Sequence, residues 1–209
     1  MDPQSPGLPV VRYVAMGDSY TIGTSVGPSD RWPDRLAATL SGDRVTVQLV
    51  ANLGVNGATS GDVVTRQLPR VGELAPDFVT LLVGVNDVVQ GVPEARYREN
   101  LETILDDLLG TLPADRIVAV TTPDYTVTPA GSDYGDPANQ RAGIARNNAL
   151  LADLATARGI AVVDIHDLSR RAAEDPSLVA ADGLHPSGTQ YALWVERIAP
   201  VVGGLLGGR

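Results

Sequence analysis

The stretch "VAMGDSYT", Val14–Thr21, decides how this chain folds. Its apolar run stops at Gly17-Asp18-Ser19. Such a stop is either the ordinary end of a strand at a polar turn, or a turn that holds a serine hydroxyl at the edge of a sheet. The surrounding sequence must choose between the two.

Outward from that point the same grammar repeats. Apolar runs occur at Tyr13–Met16, Val45–Val50, Val79–Val83, Ile117–Val120 and Ile160–Val163. The last three lack polar alternation, which predicts strands covered on both faces. Helix-length amphipathic segments lie between the runs. Over 94–109, Tyr97, Leu101, Ile104, Leu105, Leu108 and Leu109 form one stripe at spacings of three and four. Asp136-Pro137 reads as an N-cap followed by a first-turn proline. The helix it starts turns Ile144, Leu151, Leu154 and Ala155 one way. Trp32-Pro33 starts another, with the indole in the core.

Strand and helix in alternation predict a single-domain, three-layer α/β fold. Its five-stranded parallel sheet takes the doubly wound order 2-1-3-4-5, as in flavodoxin-like proteins. Residues 1–11 read as a short Pro-rich leader, and 12–209 as the domain. The closing "VVGGLLGGR" reads as a fraying terminus. In sheets of this kind ligands gather beyond the carboxyl ends of the strands, and that is where the polar clusters fall.

Besides Gly17-Asp18-Ser19 there are three. "ANLGVNGATSGD" carries Asn52, Gly54, Asn56 and Gly57 after the second strand, with Thr59 or Ser60 as a helix cap. Gly84-Val85-Asn86-Asp87 follows the third strand. Asp182-Gly183-Leu184-His185-Pro186 precedes a final helix. There Ser187 and Gln190 match a capping box, and Pro186 and Tyr191 occupy staple positions.

Composition narrows the chemistry these clusters can perform. A chain of 209 residues suits one domain, burying roughly 70% of its extended surface. The net charge of −9 disfavours nucleic acid and anionic membranes as partners. All 16 basic residues are arginine, so Schiff-base and P-loop chemistry are excluded. Cysteine is absent, excluding thiolate catalysis and disulfides. Only His166 and His185 are available to a nitrogen-rich zinc site, which makes one improbable. No apolar run approaches the ~20 residues that span a bilayer, and the first residues lack the features of a signal peptide. The expectation is a soluble chain, cytoplasmic, or secreted if a leader was trimmed.

What remains is nucleophilic acyl chemistry. Serine needs a base, histidine is the side chain suited to that role near neutral pH, and a carboxylate must orient the imidazole. Asp182 and His185, three apart on one turn, can supply this pair locally. Glycine-rich turns and an asparagine amide suit an oxyanion.

In order and over nearly the whole chain, the clusters resemble the four blocks of the SGNH (GDSL-type) serine hydrolase family. The resemblance implies Ser19 as nucleophile and His185 as general base. It implies Asp182 as orienting acid, or as a helper partly replaced by a backbone carbonyl. The implied oxyanion donors are the N–H of Ser19, the N–H of Gly57 and the amide of Asn86. Gly57 is chosen over Gly54 because it lies five residues after Asn52. Tyr20 departs from the family's leucine, which bears on substrate preference. Asp18 and Asp87 read as structural. The implied activity is cofactor-free and metal-free cleavage of short acyl or aryl esters, the partner being a small-molecule ester.

Rival readings use these residues differently. A lysophospholipase, thioesterase or carbohydrate deacetylase would use the same site. A flavodoxin-like module would cradle phosphate in "GDSYTIGTS", and a dead scaffold would use none of them. His166, in "VVDIHDL", is a second candidate base, against a solvated or capping role. The long loop 123–137 is either a binding wall, with Tyr125 and Tyr134 lining the substrate pocket, or a surface excursion.

Overall fold

The computed structural model describes residues 8–207. Its sheet has five strands: β1 (Val10–Gly17), β2 (Thr46–Asn52), β3 (Phe78–Leu82), β4 (Ile117–Val120) and β5 (Ala161–Val163). They pair in parallel in the order β2-β1-β3-β4-β5. The helices are α1 (Ser19–Ile22), α2 (Trp32–Leu40), α3 (Ser60–Asp62), α4 (Leu68–Leu74), α5 (Val85–Val89), α6 (Glu94–Thr111), α7 (Pro137–Ala157), α8 (His166–Arg170) and α9 (Gly188–Gly207).

Alternation along each central strand divides the core into two layers. In β3, Phe78 and Leu82 face the layer containing Trp32 of α2 and Trp194 of α9. Val79 and Leu81 face the layer under α6. Thr80 is buried, and its hydroxyl is satisfied 2.7 Å from the Tyr13 hydroxyl. A buried hydroxyl without that partner would cost roughly 1–3 kcal/mol. On α6 the stripe buries Tyr97, Leu101, Ile104, Leu105 and Leu108, while Leu109 is half-buried. Asp136 caps α7, accepting the Asn139 N–H at 2.9 Å.

Four expectations are corrected. β1 begins at Val10, because Val10 and Val11 pair with Thr46 and Val47 and so belong to the sheet rather than a leader. Residues 1–7 of that leader lie outside the described residues. β5 is an edge strand, and Ala161 and Val162 are only half-buried. "VVGGLLGGR" does not fray at its start. α9 runs to Gly207 because Val202 is fully buried and Leu205 and Leu206 pack on the core. Packing there overrides the weak helix propensity of glycine. Finally, Ser187 and Gln190 make half a capping box. The Ser187 hydroxyl accepts the Gln190 N–H at 3.3 Å. The Gln190 amide instead donates to the Ser169 carbonyl at 3.3 Å.

Candidate active site

The turn after β1 is built for close approach. Gly17 has φ +152, and a Cβ there would lie 2.2 Å from the Leu82 carbonyl oxygen. Only glycine tolerates both conditions. Its peptide is clamped by Gln67, whose Oε1 accepts the Gly17 N–H at 2.9 Å and whose Nε2 donates to the Gly17 carbonyl at 2.7 Å. Asp18 then caps α1, with Oδ1 accepting the Tyr20 N–H at 3.0 Å. Ser19 is the first residue of that helix and is almost fully buried.

Asp18 is wholly buried, and its Oδ2 has no hydrogen-bond partner. Burial therefore pushes the carboxyl up from 3.8 to about 7, against the Tyr20 N–H and helped by the Asp87 charge. Burial thus makes this acid harder to ionise than an exposed carboxyl.

The second and third clusters are bound into one unit. Asp87 accepts the Ser60 N–H at 2.9 Å and the Ser60 hydroxyl at 2.5 Å. Burial raises its carboxyl, outweighing these Ser60 hydrogen bonds. The Asn86 amide donates one hydrogen to the Ala58 carbonyl at 3.0 Å. That leaves its second hydrogen for another acceptor. Gln90 donates to the Gly57 carbonyl at 2.9 Å. Thr59, not Ser60, is the cap of α3, in a full capping box with Asp62.

The two glycines of this segment divide their work. A Cβ on Gly54 would lie 2.5 Å from the Ile22 nitrogen, so Gly54 serves packing against α1. Gly57 has φ +76 and open space where a Cβ would stand, and it lines the cleft described below. Asn52 fixes the approach, donating to the Thr21 carbonyl at 2.7 Å and accepting the Gly54 N–H at 3.1 Å.

In the final cluster His185 Nδ1 lies 2.6 Å from Asp182 Oδ2. A carboxylate only accepts, so Nδ1 carries the proton and Nε2 presents a lone pair. Asp182 Oδ1 accepts the N–H of Leu184 at 2.9 Å and of His185 at 3.0 Å. A further donor, Ser25 Oγ, reaches Oδ2 at 2.6 Å. Desolvation pushes the Asp182 carboxyl up. The hydrogen bonds from Ser25, Leu184 and His185 outweigh it and hold the group well below the usual carboxylate range.

One cleft of about 240 Å³ collects these parts, with Ser19, Gly57, Asn86 and His185 on its polar side. Tyr20, Val85, Val89, Tyr125, Tyr134 and Leu184 form its walls. Tyr20 is buried with its ring 5.3 Å from the His185 ring. Tyr125 and Tyr134 meet edge to face at 5.8 Å. Burial, with the charge of Asp124, pushes the Tyr125 phenol up to about 12, and its hydroxyl donates to Gln140 at 2.9 Å.

The first part of their loop is packed, with residues 123–126 buried, while residues 132–136, Tyr134 among them, are exposed. Asp124 is buried against Arg141 at 2.9 Å. The Ala130 N–H also reaches the Gly183 carbonyl at 2.9 Å, so the loop braces the turn that carries His185. His166 is not among the cleft residues. Its Nδ1 sits 3.4 Å from Asn148 Nδ2 and 3.4 Å from the Thr122 carbonyl. Among the described residues no group of His, Asp or Glu is placed to hold a metal ion. No helix among them is long and apolar enough to cross a membrane.

Sequence reasoning missed Ser25 and Gln67, and it singled out Asn56 without giving it a role. Asn56 lines the cleft and accepts the Thr24 hydroxyl at 2.6 Å. Ser25 and Gln67 carry no local signal, because their partners lie 157 and 50 residues away.

Comparison with known proteins gives the family and the fold. The sequence profile of the GDSL-like lipase/acylhydrolase family matches residues 15–193. The chain belongs to that family. An arylesterase of Vibrio mimicus is 30% identical over 100 residues, a match spanning 45% of this chain and 46% of that protein. The matched part is thus about half the length of the curated relative. An acetylxylan esterase from Geobacillus stearothermophilus superposes with a TM-score of 0.71 at 18% identity, covering 92% of this chain and 94% of the other. An alpha/beta hydrolase from the metagenome of Lake Arreo, Spain, does so at 0.69 and 21%, covering 95% and 98%. The shared fold is that of these enzymes, with the same layered sheet.

Proposed function

We propose that this member of the GDSL-like family hydrolyses carboxylic esters through an acyl-serine intermediate on Ser19. The observation that carries the reading is the 2.6 Å contact between His185 Nδ1 and Asp182 Oδ2, on a histidine that shares one cleft with Ser19, Gly57 and Asn86.

With Nδ1 protonated, Nε2 takes the Ser19 hydroxyl proton as Oγ adds to the ester carbonyl carbon. The imidazolium is stabilised by Asp182. The carbonyl oxygen becomes an oxyanion facing the Ser19 N–H, the Gly57 N–H and the Asn86 amide. Collapse breaks the ester C–O bond, and His185 returns its proton to the departing alkoxide. Water repeats the sequence on the acyl-serine, releasing the acid and restoring Ser19.

Shape supports a small acyl or aryl group. The cleft, at about 240 Å³, is below the ~300–1,000 Å³ typical of sites for drug-sized ligands. Its walls are aromatic and branched aliphatic side chains. The arylesterase and acetylxylan esterase relatives point the same way. A phosphate-cradling loop would require neither the His185–Asp182 pair nor the cleft.

Two measurements test the reading. Turnover of p-nitrophenyl esters should be highest for two to four acyl carbons and fall for chains of eight or more. A serine-directed organophosphonate should label Ser19 stoichiometrically, and Ser19→Ala should lose both labelling and turnover while keeping its fold. Labelling elsewhere, or an active Ser19→Ala variant, overturns the assignment.

A further inference from the structure

We infer that Ser25 is a positioning residue for the Asp182–His185 pair, acting through the carboxylate; this rests on the acyl-serine reading above. The first observation is geometric. Asp182 Oδ1 takes two backbone N–H groups of its own turn, and Oδ2 takes His185 Nδ1 at 2.6 Å and Ser25 Oγ at 2.6 Å. A carboxylate offers about four acceptor sites, and here all four are used. Only the Ser25 contact comes from outside the Asp182–His185 turn, across 157 residues of sequence.

The second observation is in the backbone. Ser25 has φ +67, and among the described residues only Ala75 is another non-glycine with positive φ. Ala75 merely ends α4, a common place for a left-handed residue. Ser25 ends nothing. It lies in the loop after α1, where glycine would sit without strain. Serine occupies an unfavourable backbone position there and spends its hydroxyl on Asp182.

The neighbouring contacts show what the link transmits. The Thr24 N–H reaches the Ser19 carbonyl at 3.1 Å, and the Thr24 hydroxyl reaches Asn56 Oδ1 at 2.6 Å. Ser25 is therefore one residue from a tether to the nucleophile's own helix. Its hydrogen bond ties the acid turn to that helix, so the imidazole and the Ser19 hydroxyl keep one relative placement. The Asp182 side chain is 30% exposed. Without Ser25, water would compete for Oδ2 and the carboxylate plane could rotate away from Nδ1.

The test compares two variants that both lack the hydroxyl. Ser25→Ala keeps the unfavourable backbone, whereas Ser25→Gly relieves it. Steady-state kinetics on p-nitrophenyl acetate should show kcat reduced about tenfold to a hundredfold in both. KM should change less than twofold, and the glycine variant should have the higher Tm. In an Asp182→Asn background, Ser25→Gly should cost little more, because the residue acts through that carboxylate. Wild-type kcat in Ser25→Gly overturns the proposal. So does activity that follows Tm, with glycine clearly better than alanine, or an undiminished loss in the Asp182→Asn background. Ser19→Ala is the separate control. If it remains active, the acyl-serine reading fails and takes the proposal with it; if it is inactive and Ser25→Gly is normal, only the role of Ser25 fails.

Discussion

Replacing Asp18 by Asn should make the protein's stability less dependent on pH, by an amount that follows from burial. The Asp18 carboxyl is raised from 3.8 to about 7, chiefly because it is wholly buried. A folded-state value above the unfolded one means that the native state binds more protons between those values. Stability then falls as pH rises through the window. The group leaves stability intact at pH below about 4 and withdraws it progressively up to about 7. Linkage over that interval gives a loss of about 3 kcal/mol between pH 4.5 and 7.

Asparagine copies the neutral acid. Its oxygen can still accept the Tyr20 N–H, and its amide occupies the place of the unpartnered Oδ2. Any fixed cost of that buried amide, roughly 1–3 kcal/mol, is the same at every pH. The quantity to measure is therefore the difference between variant and wild type, by urea unfolding at pH 4.5, 5.5, 6.5 and 7. That difference should move in favour of Asp18→Asn by about 3 kcal/mol over the range. Subtraction removes the groups common to both, including Asp182, whose lowered carboxyl acts in the opposite direction. A difference constant with pH would refute the reasoning, because Asp18 would then be ionised in the folded protein like an exposed carboxylate.

The histidines should separate cleanly. His185→Ala should lower kcat by several orders of magnitude, as loss of a triad member does, while His166→Ala, outside the cleft, should change it less than about tenfold; the reverse ranking in steady-state assays would move the base to His166. Asn86→Ala should reduce kcat by ~10²–10³ with KM nearly unchanged, since its free amide hydrogen matters once charge develops on the carbonyl oxygen. A raised KM with constant kcat would make Asn86 a ground-state contact instead. Circular dichroism of the same sample checks that losing the bond to Ala58 has not unfolded the loop.

What the sequence determined by itself was whatever is written in neighbouring residues. Period and run length marked the strands, and β4 matches its apolar run residue for residue. Alternation of strands and helices implied the parallel sheet and its order. Asp182 and His185 could be paired in advance because three residues on one turn bring them together. The Gly-Asp-Ser, Gly57 and Asn86 segments were legible as strand-end turns for the same reason. Tertiary structure alone decided the rest, because burial and distant hydrogen bonds leave no local pattern. The unpartnered oxygen of Asp18 is invisible until the fold buries it. The length of α9 depends on Val202 finding a core to fill, against a glycine-rich sequence that favours no helix. The clamp of Gln67 on Gly17 and the bond from Ser25 to Asp182 exist only because the fold brings the helical segment before α4 and the final turn against the loops that follow β1. Contacts across 50 and 157 residues are set by the topology of the sheet, which no short window of sequence contains.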